Sequence, residues 1–295
     1  MMKSMVTTPA LVAADTGISL ALGFCLAIGT FVAAANPAMA AETDWQENLG
    51  GQARLISTGP IDPDTQTVRI AIQIDLKKGW KTYWRSPGDT GIPPEFDFSR
   101  SSNLKEYEIL WPAPKSFADD YGASIGYKDG VTLPVRAVAR SRNLPMVIDL
   151  TMRYGVCERI CVPVENQFSL VVTRSSLASD SAAALIDQAF DSVPTPAAAD
   201  DAMAIKSVSQ KGKVPTGNLI VTTRVSAPAE KTELFIEGPE NWYFPLPVRT
   251  SGNDDKIEWS ISLADLPEAG GLSGNYVTFT LVNGKQAVEQ IWHLD

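Results

Sequence analysis

Cys157 and Cys161 are the residues whose type and spacing best support chemistry in this 295-residue chain, which has one other cysteine. They lie in the stretch Tyr154-Gly155-Val156-Cys157-Glu158-Arg159-Ile160-Cys161-Val162-Pro163. Two thiols at this spacing can close a ring within one tight turn, so the pair can cycle between dithiol and disulfide without large movements elsewhere. The other reading is a structural staple. A five-residue ring adds only about 2 kcal/mol by loop entropy. A chain of this length with 44% hydrophobic residues can bury an adequate core without it. For exchange, one sulfur must attack as thiolate. Arg159 within the ring would favour that charged form and Glu158 would oppose it, so the net sign stays open.

Other chemistries find few residues to stand on. A formal net charge of −9 argues against nucleic acid or an anionic membrane surface as partner. The one histidine, His293, together with Cys157 and Cys161, falls short of the usual four zinc ligands, so no metal is expected. Glycine-rich phosphate loops and a G-x-S-x-G elbow are absent, and no cofactor is expected.

The N-terminus sets the compartment. Lys3, an apolar run over 18–35 and then Ala38-Met39-Ala40 read as a signal peptide cleaved after Ala40, with an uncleaved anchor as the alternative. Cys25 follows the bulky Phe24, which disfavours a lipoprotein reading, and leaves with the signal. Two cysteines then remain in an oxidising space. No later stretch approaches the roughly 20 apolar residues of a membrane span, so a soluble exported chain is expected.

Residues 44–59 read as a short lead-in and Thr67–Leu76 as a half-buried strand. Trp80, Tyr83 and Trp84 on the next strand read as core. Strands are expected over 107–111 and 131–139, separated by a polar loop over 117–130 that carries Asp119, Asp120 and Tyr121. The alternation over 146–154 delivers the chain to Cys157, and 166–173 leads away from Cys161. Residues 179–190 form the one convincing helix, stopped by Pro194-Thr195-Pro196. Beyond a linker at 197–201 come strands over 218–225, 231–237 and 256–263. A closing hairpin over 276–293 turns at Asn283-Gly284. The pattern predicts an all-β protein: two immunoglobulin-like antiparallel β-sandwiches joined by a short helix and linker. The division expected is 1–40 signal, 41–177 redox sandwich, 178–200 helix and linker, and 201–295 a second sandwich without a thiol.

Four motifs occur in order: Gly79-Trp80-Lys81-Thr82-Tyr83-Trp84, Asp119-Asp120-Tyr121-Gly122, Thr132-Leu133-Pro134-Val135, and Tyr154-Gly155-x-Cys157 through Cys161-x-Pro163. Together they resemble the periplasmic N-terminal domain of the DsbD and ScsB family of thiol:disulfide interchange proteins. The second sandwich looks more like the ScsB branch. The resemblance implies that Cys157 and Cys161 are catalytic, passing electrons from a membrane-embedded thiol reductant (DsbD/CcdA-like) to periplasmic thioredoxin-fold proteins, a traffic that includes cytochrome c biogenesis. It implies a protein-disulfide reductase type of activity, with electrons supplied by another polypeptide. It also implies that Asp119, Asp120 and Tyr121 belong to a cap loop shielding the pair. By the same resemblance Cys161 forms the mixed disulfide with partners and Cys157 resolves it. The runner-up is a non-catalytic binding or chaperone-like module with a structural Cys157–Cys161 bond.

Overall fold

The computed structural model describes residues 41–119, 122–225, 229–240, 242–252, 255–267 and 271–295. The expected signal peptide with Cys25, and the expected cap residues Asp120 and Tyr121, lie outside these. The first sandwich contains β1 (Gln46–Asn48), β2 (Gly51–Ser57), β3 (Thr67–Leu76), β4 (Lys81–Gly88), β5 (Glu95–Asp97), β6 (Leu104–Ile109), β7 (Lys115–Asp119), β8 (Gly122–Lys128), β9 (Gly130–Ala139), β10 (Met146–Cys157) and β11 (Cys161–Val172). After α1 (Asp180–Asp191) come β12 (Thr195–Pro196), β13 (Ala204–Lys211), β14 (Asn218–Arg224), β15 (Thr232–Glu237), β16 (Val248–Gly252), β17 (Lys256–Ser262), β18 (Tyr276–Asn283) and β19 (Gln286–His293). The protein is all-β with immunoglobulin-like sandwiches, as the turn-rich alternation predicts.

In the first sandwich a sheet ordered β1-β2-β3-β9-β6 faces one ordered β11-β10-β4-β8-β7, with β5 also paired to β10. Strand alternation builds the core between them. Val68, Ile70, Ile72, Ile74 and Leu76 of β3 meet Met146, Ile148, Leu150, Met152, Tyr154 and Val156 of β10 in one buried cluster, each large side chain stabilising the fold by about 1.5–3 kcal/mol. The second sandwich pairs β12-β19-β18-β15 with β13-β14-β17-β16 around Ile205, Val221, Trp259, Phe279 and Leu281.

The helix begins where its sequence says it should: the Ser179 hydroxyl accepts from the Ala182 amide at its N-cap. Ala182 and Ile186 pack on Ile56 and Ala71, the outward faces of β2 and β3. Arg69 clamps it further, pairing with Asp187 at 2.7 Å and lying over the Phe190 ring at 4.1 Å. The chain then enters the other sandwich directly, since β12 pairs in parallel with β19.

Two sequence expectations need correction. Residues 44–59 are no lead-in. They form β1 and β2, and β2 buries Ala53, Leu55 and Ile56 completely. Leu55 faces the core and Ile56 faces α1, so burial on both faces hides the alternation. Residues 117–130 are mostly hairpin: β7 and β8 pair from Lys115↔Gly126 to Asp119↔Gly122. Ile125 and Tyr127 point inward, while Ser124 and Gly126 at the alternate positions are small, though buried too, and give the stretch its loop-like composition.

Candidate functional site: a cross-strand cysteine pair in a cleft

Cys157 ends β10 and Cys161 begins β11, and the two are register partners, closed by Glu158, Arg159 and Ile160. Residues directly opposite in an antiparallel pair have Cα atoms about 4.5–5.5 Å apart, inside the roughly 4.4–6.8 Å that a disulfide spans. The ladder that carries them runs without a break back to Met146↔Val172, so the sulfurs are held by a stiff ribbon. Their Sγ atoms lie 2.8 Å apart as free thiols. Cys157 is 6% exposed, and Cys161 more so.

Alternation along β10 puts Tyr154 and Val156 in the core, and so turns Gly155 and Cys157 to the outer face of the sheet. On β4 the same rule buries Thr82 and Trp84 and sends Lys81 and Tyr83 outward. Lys81 and Cys157 are register partners, as are Thr82 and Val156. The expectation that Tyr83 is core therefore holds for its burial but not for its role. Its ring packs against Gly155, where an added Cβ would come within 2.7 Å of it, and its hydroxyl stands 2.7 Å from Cys161 Sγ. Only glycine at 155 leaves room for that ring. The i, i+2 spacing of Lys81 and Tyr83 was the available signal, masked by the neighbouring tryptophans.

These groups line a cleft of about 320 Å³ formed by Lys81, Tyr83, Thr90, Ser124, Cys157, Arg159, Ile160 and Cys161. Ile160, at the hairpin tip, is 76% exposed. Burial, first of all, pushes the Cys157 thiol above its ordinary pKa, helped by the hydrogen bond with Cys161. The Tyr83 hydrogen bond and the Lys81 charge act the other way. The cation that favours the Cys157 thiolate is thus Lys81, across the sheet, whereas the sequence directed attention to Arg159. Burial and the hydrogen bonds with the two thiols raise the Tyr83 pKa, so its phenol keeps its proton and can donate to a sulfur anion.

Asp119, expected on a cap loop, is the last residue of β7 and pairs with Gly122. That hairpin borders the site, because Phe117 of β7 lies under the Lys81 ammonium at 5.4 Å. Among the described residues no three His, Cys, Asp or Glu side chains come together as a metal site, and His293 lies against Tyr276 and Asp295. No described helix is long and apolar enough to cross a membrane.

Residues 52–173 match the family described as "Thiol:disulfide interchange protein DsbD, N-terminal". Residues 192–294 match a second family, described as "Domain of unknown function (DUF8393)". Among solved structures, the N-terminal periplasmic domain of ScsB from Proteus mirabilis aligns at 20% identity with a TM-score of 0.66, covering 86% of this chain and 98% of that one. A marsupial T cell receptor aligns at 9% identity over 84% of this chain and 98% of that one, with a TM-score of 0.22 too low to bear on the fold. No curated protein matches the chain. The first sandwich thus carries a match to the DsbD N-terminal family, and the chain shares the fold of the ScsB domain.

Proposed function

We propose that this protein is a periplasmic thiol:disulfide interchange protein, working through Cys157 and Cys161. The observation that carries the reading is the site itself: two register-paired thiols, rigidly held and opening onto a cleft, in a domain whose family supports thiol:disulfide interchange. In the reducing direction the Cys161 thiolate attacks one sulfur of a partner's disulfide. A mixed disulfide forms and the partner's other sulfur leaves as thiolate, taking up a proton. Cys157, once deprotonated, then attacks Cys161 Sγ and closes the ring, and the partner departs as a dithiol. Two electrons have passed to the partner, and a membrane-embedded thiol reductant (DsbD/CcdA-like) restores the pair by the reverse exchange.

Exposure supports this division of labour, since Cys161 is the more accessible sulfur and carries the Tyr83 hydroxyl. Downstream partners are thioredoxin-fold proteins of the periplasm, reached after export and cleavage behind Ala40. Asp119, Asp120 and Tyr121 act as a cap that shields the pair until a partner docks. The test is trapping in cells. Cys157→Ser accumulates mixed disulfides through Cys161, Cys161→Ser does not, and both lose exchange to background. An intact mass beginning at Ala41 checks the export step. Complexes trapped only by Cys161→Ser reverse the assignment. None from either variant, alongside a reduction potential below about −300 mV, makes the bond a structural one.

A further inference from the structure

The β10–β11 hairpin fixes the sulfurs, but part of the cleft wall facing them is held by the second sandwich. Thr90 belongs to the turn after β4 and lines the cleft with Ser124. That turn is built tightly onto the start of β8. A Cβ on Gly122 would come within 3.0 Å of Thr90 Cγ2, and one on Gly88, whose φ is +80°, within 2.9 Å of the Ala123 carbonyl oxygen. Between Gly88 and Thr90, Asp89 is exposed, and its Oδ1 accepts a hydrogen bond of 2.8 Å from the Tyr243 hydroxyl. Tyr243 lies between β15 and β16. Its neighbour Phe244 is buried in the second core and packs on Trp242 with ring centroids 6.0 Å apart. Burial, and then the Asp89 hydrogen bond, raise the Tyr243 pKa, so the phenol remains a donor.

Three further contacts from the same sandwich grip the elements around this turn. Arg85 on β4, two residues beyond Tyr83, pairs with Glu237 at 2.7 Å and with Glu289 at 2.6 Å. The Ser116 amide on β7 donates to Glu233 Oε1 at 2.9 Å. None of the three touches a cysteine. They bear on the strand that carries Tyr83 and on the hairpin and turn that border the cleft.

We infer that Tyr243 is a positioning residue: its hydrogen bond to Asp89 pins the 88–91 turn and sets how closely Thr90 guards the sulfurs. The second sandwich thereby controls access to Cys161 while leaving the sulfur chemistry alone. This rests on the reading of the pair as working thiols for its biological purpose, whereas the claim about access stands on geometry.

The experiment uses the full chain from residue 41, reduced, and follows alkylation of Cys161 by iodoacetamide with quenched mass spectrometry. Tyr243→Phe keeps the ring and removes only the hydroxyl. The expected result is alkylation about fivefold faster, the population change that loss of one net hydrogen bond allows in a local opening. The reduction potential against glutathione stays unchanged. Asp89→Ala behaves the same way, Asp89→Asn retains the wild-type rate because it still offers Oδ1, and the double variant Tyr243→Phe/Asp89→Ala is no faster than either single. Unchanged rates in both single variants, additive effects, or a shift in potential that accounts for the rates would overturn the inference. Faster alkylation in a protein that traps no mixed disulfides keeps the strut and removes the redox role. Trapping with unaltered alkylation does the reverse.

Discussion

The hairpins β10–β11 and β18–β19 are the same device, a long antiparallel ribbon within a sandwich sheet, yet only the first ends in a site. The β18–β19 ladder runs from Tyr276↔His293 to Asn283↔Gln286 and turns tightly at Gly284, whose φ is +65°. Its neighbour β15 follows β18 to that turn, pairing Thr232 with Asn283. The β10–β11 hairpin instead closes through three residues. Its neighbour β4 pairs with β10 at Val156↔Thr82 and Cys157↔Lys81 alone, then shifts register against β8 between Tyr83 and Gly88. Both neighbours reach the turn of their hairpin, but β4 parts from β10 behind its last two pairs, and a cleft opens there on the outer face over Lys81, Tyr83 and the cysteine pair. A rigid ribbon supplies aim and the parting of its neighbour supplies access.

The largest effect expected on this contrast comes from separating the two sandwiches. The proposed division at 200 predicts that residues 41–200 fold alone, because β1–β11 and α1 close their own core. That core nevertheless also contains Phe235 and Val282 of the second sandwich, and Trp84 meets Phe235 at 5.8 Å. Losing their burial lowers stability by about 3–5 kcal/mol, read as a lower urea midpoint. Arg85 adds to the dependence. Burial alone would lower its pKa, but the two carboxylates outweigh burial and raise it. A fragment that fails to fold refutes the division.

A smaller effect separates the two glycines at the business ends of the hairpins. Gly155→Ala drives a methyl into the Tyr83 ring and costs about 1–3 kcal/mol by overpacking, and it changes the alkylation rate of Cys161 by moving the phenol from its sulfur. Gly284→Ala strains a left-handed turn at a cost of about 1 kcal/mol and leaves thiol reactivity as it was. Equal thiol effects from both would show that the contrast is one of stability alone.

The smallest effect is in pH. The Cys157 thiol pKa is raised in the folded protein, so the fold holds that proton more tightly than the unfolded chain does. Its contribution to the reduced protein is complete below the unfolded thiol value, about 8.5, and is lost as pH rises through the folded value. The urea midpoint of the reduced protein should fall over that window relative to Cys157→Ser. Because the Tyr83 hydrogen bond lowers the Cys157 pKa, Tyr83→Phe moves the alkylation profile of Cys157 further toward alkaline pH. A shift toward acid would show the phenol opposing the thiolate.

What the chain determined by itself was whatever depends on local spacing. The alternation of 146–154 placed β10, Asn283-Gly284 placed the closing turn, and Ser179 placed the start of α1. The separation of Cys157 from Cys161 marked the pair, and ordered motifs over the first sandwich pointed to its family. Local signals failed where both faces of a strand are covered, as at Ile56 under α1, and where an outward face lies in a cleft, as along Ser124-Ile125-Gly126-Tyr127. The partners of the cysteines could not be read at all. Lys81 reaches Cys157 because β4 crosses β10 at that register, Tyr83 reaches Cys161 because residue 155 has no side chain, and Arg85 meets Glu237 across 152 residues. Only the tertiary structure decided these, since each distance depends on how separate strands stack and not on any order of residues within one.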